Sequence, residues 1–331
     1  MPDSCPWRAT DRACADPLPL VHQSHWRELN ETYERQDMNM PRLDTNELVV
    51  ITGASSGIGA ATAREMARRG FHVLAGVRRE EDAAALRDQN IEPLILDITN
   101  KDHVQALTDR VQNDPAGRVL RALVNNAAIG ANAPVEVFPL EAWRQLFEVN
   151  YFGHIAVTQK LLPALIRSKG RIVNISSVGG TIAMATYGPY GGAKFALEAL
   201  SDSLRREMLP FGVDVIVIEP GAIKTKISSR AIATANKVAA TMTLEQRERY
   251  GDLIHVVTAQ AAEANENGLT ADAAAHVIAS AITVRKPRTR YGIGREASMI
   301  GIIRMLPDRV VDRILAFVLR RYMPKPKRSA Q

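Results

Sequence analysis

Cysteine is nearly missing from this chain: there are two in 331 residues, Cys5 and Cys14, both in the leading segment. That excludes a disulfide framework and a cysteine-held metal as the basis of the fold. The seven histidines show no H-E-x-x-H or comparable ligand spacing, so no metal site is expected, and His154 and His255 read as ordinary histidines. No apolar run is long enough to span a bilayer, and the N-terminus lacks the basic-then-apolar order of a secretory signal. The net charge of +6 sets 42 basic residues against 36 acidic ones. The excess is local, in Arg285–Arg290 and in a tail from Arg320 to Arg328. No nucleic-acid motif accompanies those runs, so a nucleic-acid partner is not expected. Repeats of solenoid period are absent too. The expectation is a cytoplasmic protein.

What is there has the order of an α/β protein. Residues 1–45 are polar, carry several prolines and show no sustained period, which predicts a flexible extension. From Glu47 onward, short β-branched or apolar runs alternate with helix-like segments. The predicted strands are Leu48–Thr52, Phe71–Val77, Pro93–Leu96, Ala122–Asn125, Arg171–Ser176, Val213–Glu219 and Thr289–Ile293. Ala60–Gly70 between the first two is a strong helix former, closed by a glycine suited to a left-handed cap. The pattern predicts a doubly wound, mostly parallel seven-stranded sheet with helices on both faces, over residues 46–298. Within it, residues 222–270 are helical in composition and read as a substrate lid. Residues 299–331 read as an amphipathic helix and a basic tail, apolar residues recurring at helical spacing among arginines.

Two local patterns carry chemistry. Gly53, Gly57 and Gly59 follow the first strand and open the first helix, the context in which a glycine loop receives a dinucleotide pyrophosphate. Tyr190 and Lys194 stand four apart, so on a helix both side chains reach one bound molecule. An ammonium near a phenol favours the phenolate and draws the group towards useful proton exchange. Tyr187, three residues earlier, lacks a lysine partner and reads as a pocket wall or core residue.

Thr52-Gly-Ala-Ser-Ser-Gly-Ile-Gly59, Asp97, Asn125-Asn-Ala-Ala128, Asn150, Ser177, Tyr190 with Lys194, and Pro220-Gly221 with Thr225 together resemble the classical short-chain dehydrogenase/reductases over about Glu47 to Gly294. Ala128 departs from the glycine usual there, which puts the local loop shape in doubt. The resemblance implies four catalytic residues, Asn150, Ser177, Tyr190 and Lys194. Ser177 would hold the substrate oxygen and Tyr190 would exchange the proton. Lys194 would hold the nicotinamide ribose, and Asn150 would kink a long helix and hold a water leading from the lysine. It further implies a cofactor site made of Gly53, Ser55, Ser56, Gly57, Ile58, Gly59, Arg78, Asp97, Ile98, Asn125, Ala127, Tyr190, Lys194, Pro220, Gly221, Ile223 and Thr225. Asp97 would face the adenine, Asn125 would brace the sheet, and Thr225 would meet the nicotinamide carboxamide.

An acidic residue at the end of the second strand would favour NAD(H). Here Val77 ends it and Arg78 and Arg79 follow, so NADP(H) is the first choice, with Arg78 on the 2′-phosphate, and NAD(H) the second. The C-terminal stretch resembles that of retinol and hydroxysteroid dehydrogenases. This implies a fairly apolar secondary alcohol or ketone as substrate and raises peripheral membrane contact through that helix. The family's habit of pairing long helices implies a homodimer or homotetramer. The competing readings are an NAD-dependent alcohol dehydrogenase, a dinucleotide sensor without turnover, and a lipid-surface adaptor built on the tail.

Overall fold

In the computed structural model, residues 46–320 and 322 are described. The expected N-terminal extension, both cysteines and the basic run from Lys325 lie outside the described residues.

The chain runs β1 (Glu47–Ile51), α1 (Gly57–Arg68), β2 (His72–Val77), α2 (Glu80–Leu86), β3 (Ile91–Ile95), α3 (Lys101–Gln112), β4 (Val119–Asn125) and α4 (Leu140–Phe147). A π turn at Glu148–Phe152 then leads into α5 (Gly153–Ser168), followed by β5 (Arg171–Ile175), α6 (Gly188–Met208) and β6 (Asp214–Pro220). The remainder is α7 (Lys226–Ala240), α8 (Leu244–Asn267), α9 (Ala271–Thr283), β7 (Arg290–Ile293), α10 (Arg295–Ile303) and α11 (Asp308–Arg320).

The seven strands form one parallel sheet in the order β3-β2-β1-β4-β5-β6-β7. Each expected strand is present, with ends displaced by at most a few residues. Apolar side chains leave the strands alternately to both faces, as a sheet sandwiched between helices demands. Val49 and Ile51 enter one buried cluster with Val73, Ala75, Val124 and Val173, whereas Leu48 and Val50 enter the other with Leu74, Leu123 and Ile172. On the first face α1 packs on α9, where Ala60, Ala63, Met66 and Ala67 share a cluster with Ala274, Ile278 and Ile282. Small residues there let the two helix backbones approach. Strand order reverses between β1 and β4, so the crevice for a ligand opens at their carboxyl ends.

The region expected as a lid, residues 222–270, holds a helical hairpin of α7 and α8, with a Thr243/Gln246 capping box starting α8. The single C-terminal amphipathic helix expected from the sequence is two helices. Pro307 lacks an amide hydrogen and disfavours helical geometry in Leu306, so α10 stops at Ile303 and α11 restarts at Asp308.

Candidate active site

The glycine loop is held by its neighbours on β4. Thr52 Oγ1, fully buried, accepts the backbone N–H groups of Asn126 and Ala127 at 3.0 Å each. The Asn126 side chain in turn donates to the carbonyls of Thr52 (2.9 Å) and Gly53 (3.0 Å). Gly53 turns at φ +66°, and a methyl there would lie 2.6 Å from Ala127 Cα, so side chain and fold exclude one another at this position. At Gly59 the obstacle is the loop itself, since a Cβ would fall 2.5 Å from Asn126 Nδ2 and from Gly53 O. The N-cap Ser56 makes no side-chain capping bond and the first turn of α1 carries no acid, which leaves its amides free to face an anion.

A cavity of about 390 Å3 extends from this loop along the carboxyl ends of the strands. Val77, Arg78, Asp97 and Ile98 line it at the ends of β2 and β3. Arg78 is exposed and has no ion-pair partner among the described residues. Arg79 instead grips Asp82 with two bonds of 2.9 Å, so the two adjacent arginines have different fates. Asp97 accepts from the Thr99 backbone and hydroxyl, and those bonds hold its carboxyl below the ordinary range against the opposing effect of burial. A glycine loop and a bare helix N-terminus on one cleft fit the pyrophosphate of a dinucleotide.

At the other end stand Ser177, Tyr190 and Lys194. Ser177 ends the β5 connection, its hydroxyl taking the Gly179 amide (3.1 Å) and meeting the Tyr190 hydroxyl. Ser176 points elsewhere, its oxygen buried without a partner and packed towards Gly180. Lys194 is 2% exposed; its ammonium donates to the Ile175 carbonyl at 2.6 Å and lies 5.8 Å from the centre of the Tyr190 ring. Burial pushes the Lys194 amine down to about 8, with Glu198 opposing. Burial also pushes the Tyr190 phenol up to about 12, against the Ser177 bond and reinforced by Tyr187. In this arrangement the phenol responds to burial, Ser177 and Tyr187 rather than to the Lys194 ammonium. A tyrosine so placed stays protonated at neutral pH.

A family model described as short chain dehydrogenase matches residues 47–236. The chain belongs to the short-chain dehydrogenase family. It is 34% identical over 274 residues to the NADPH-dependent 3-dehydrocapnine reductase of Ornithobacterium rhinotracheale, covering 80% of this chain and 94% of that protein. To human retinol dehydrogenase 16 it is 35% identical over 308 residues, covering 90% and 94%. The crystal structure of a short-chain dehydrogenase from Streptomyces avermitilis superposes with a TM-score of 0.66 at 26% identity, covering 81% of this chain and 94% of that one. Like other members, this protein is an oxidoreductase enzyme.

Three of the expected site residues stand behind the wall of this short-chain dehydrogenase's cavity rather than in it. Asn125 lies within the sheet, donating to Thr158 Oγ1 (3.0 Å) and Asn174 Oδ1 (2.9 Å), and its neighbours Asn126, Ala127 and Ala128 line the cavity instead. Gly59 serves helix–loop packing. Asn150 sits in the π turn that interrupts the long α4–α5 helix; its side chain accepts from the Ile129 N–H and donates to the Ile129 C=O, both at 2.8 Å. The kink expected at Asn150 is therefore an inserted residue, and Gly153 allows Ile98 to pack against it.

The other expected residues, Ser55, Ser56, Gly57, Ile58, Pro220, Gly221, Ile223 and Thr225, line the cavity with those described above. So do Met184, Ile227, Ala231 and Ile300, apolar residues that the motifs did not flag. Tyr187, expected as a pocket wall or core residue, is a wall residue within hydrogen-bonding reach of the Asn132 amide. Thr186 before it holds φ at +68°, a strained value for a β-branched residue, and its carbonyl takes the Ala133 amide at 2.9 Å. His154, fully buried beside Lys194, is held neutral, its ring pushed down to about 3 by burial first and by the ammonium second.

Proposed function

We propose that this chain is an NADP(H)-dependent oxidoreductase that interconverts a secondary alcohol and a ketone or aldehyde on a fairly apolar substrate. The observation that carries this reading is an arginine, Arg78, where a carboxylate would stand in an NAD(H) enzyme, on the wall of the cavity that also holds Tyr190, Ser177 and Lys194. The cofactor's nicotinamide supplies or takes the hydride. In the reductive direction the Tyr190 hydroxyl gives its proton to the forming alkoxide, and the Ser177 hydroxyl holds the same oxygen. Lys194 binds the nicotinamide ribose hydroxyls. Asn150, a positioning residue, fixes Ile129 on the wall. The NADPH-dependent reductase among the relatives supports the reductive direction. The substrate end takes an apolar body between Met184, Ile227, Ala231 and Ile300, in keeping with the retinol dehydrogenase among the relatives.

The test is a fluorescence titration with NADPH and NADH for the wild type and Arg78→Ala, followed by turnover of lipophilic ketones. NADPH should bind more tightly, and Arg78→Ala should weaken it about tenfold while leaving NADH unchanged. Preference for NADH would overturn the cofactor assignment. Tyr190→Phe should bind cofactor normally yet lose about 10²–10⁴-fold in turnover.

We further propose a homodimer through the groove formed by Val135, Leu140, Trp143 and Phe147 beside the half-exposed Phe152, to be checked by light scattering. The C-terminal helices are proposed to rest on a membrane surface. Ile302, Met305 and Phe317 are exposed there among Arg304, Arg309, Arg313 and Arg320. None of the described helices is long and apolar enough to cross a bilayer. Removing residues 295–331 should abolish co-sedimentation with anionic vesicles, and unchanged co-sedimentation would reject the idea.

A further inference from the structure

Charge at the ends of β2 and β3 does not add up to an anion site on the sheet alone. Arg78 lies in the field of Asp97, and Arg79 is consumed by Asp82 with Glu81 nearby. Of the two, Arg78 alone is then free of an ion pair among the described residues, one positive charge against the nearly two negative charges of a phosphate monoester.

The missing charge comes from the lid. Lys226 and Arg230 stand four apart in the first turns of α7, so they share a face. Both line the same cavity as Arg78, both are exposed, and neither has an ion-pair partner among the described residues. Asp82 on α2, whose carboxyl is lowered first by its Arg79 bonds, also feels both lid cations, so their charge reaches the side of the cavity that carries Arg78.

The lid is brought there by contacts at its base. Thr225 caps α7 without a side-chain bond, and its methyl group packs over the glycine loop, 3.1 Å from where a Cβ at Gly57 would lie. The Thr225 amide donates to Asn265 Oδ1 (3.3 Å) on α8, and the Lys224 amide to the Leu269 carbonyl (2.9 Å). The same helix turns Ile227 and Ala231 towards the cavity. Whatever draws Lys226 and Arg230 onto the cofactor therefore also places two apolar residues of the substrate wall.

We infer that Lys226 and Arg230 form the lid half of a phosphate clamp, closing with Arg78 on the ribose 2′-phosphate of the dinucleotide, so that the phosphorylated cofactor itself draws the lid into place. This rests on the NADP(H) reading above. NADP(H) selectivity is then shared between strand and lid, and an unphosphorylated dinucleotide leaves α7 less firmly held.

The experiment uses two fragments, 2′,5′-ADP and 5′-ADP, titrated calorimetrically against the full-length wild type and the double variant Lys226→Ala/Arg230→Ala, with hydrogen exchange of residues 226–267 followed in each complex. Both substituted side chains are exposed, and circular dichroism checks that the variant folds. The wild type should prefer 2′,5′-ADP, which should slow exchange in α7 more than 5′-ADP does. The double variant should lose about 10–100-fold in affinity for 2′,5′-ADP, keep its affinity for 5′-ADP, and lose the extra protection. If the wild type shows no preference, the NADP(H) reading and the clamp fall together. If the wild type prefers 2′,5′-ADP and the double variant keeps that preference, only the clamp is refuted. An equal loss for both fragments also refutes it, placing the lid cations on the shared phosphates instead.

Discussion

Lys194→Met should stabilise this protein at neutral pH and destabilise it at high pH. The amine is 2% exposed and lowered from 10.5 to about 8, chiefly by burial. A folded-state value below the unfolded one means the ammonium is a cost wherever both states are protonated. The shift corresponds to about 3 kcal/mol of destabilisation, fully present below pH 8 and relieved as pH rises from 8 towards 10.5. Methionine fills much the same volume without a charge. It forfeits the 2.6 Å bond to the Ile175 carbonyl and the approach to the Tyr190 ring, together worth about 2 kcal/mol. The net gain at pH 7 is then about 1 kcal/mol, or about 2–4 °C in Tm for a domain of this size. By about pH 9 the two effects cancel, and at pH 10 the wild type should be the more stable by about 1 kcal/mol. Thermal unfolding by circular dichroism from pH 7 to 10 measures this, with NADPH oxidation as the activity check, which should be lost in the variant throughout. A stability difference that does not change sign or shrink with pH would refute the assignment of a buried, strained ammonium.

Gly53→Ala should lower the urea midpoint by the equivalent of about 2–4 kcal/mol and abolish dinucleotide binding, because φ +66° and the Ala127 backbone both oppose a side chain. Asn150→Ala strands the backbone N–H and C=O of Ile129 and should cost about 2–3 kcal/mol in stability; in steady-state assays it should reduce kcat more than it raises the KM for cofactor. Glu65 is lowered to about 2, bonds from His276, Arg68 and Arg69 overcoming the cost of its burial. Its contribution, about 3 kcal/mol, is complete above pH 4.5 and lost as pH falls towards 2, so urea midpoints of wild type and Glu65→Gln should differ at pH 7 and converge near pH 2.

The strands were legible because each is buried on both faces. A parallel sheet between helices needs unbroken apolar, β-branched runs such as Leu48–Ile51 and Ile172–Val173, and a run of that kind declares itself without reference to the rest of the chain. The glycine loop and the Tyr190/Lys194 pair were readable for a related reason, since backbone turns and helical spacing depend on neighbours in sequence. At single-residue resolution that reading lost its hold. Whether Asn125 or Asn126 reaches the cavity depends on the last alternation of β4 and on Thr158 and Asn174, which lie 33 and 49 positions away. Arg79 was diverted to Asp82 by the first turn of α2, leaving Arg78 available. Composition and motif determined the fold class and the family. The ionisation of Tyr190 and Lys194 and the meeting of Arg78, Lys226 and Arg230 on one cavity were decided by tertiary structure, because desolvation and charge act through space between segments far apart in the chain.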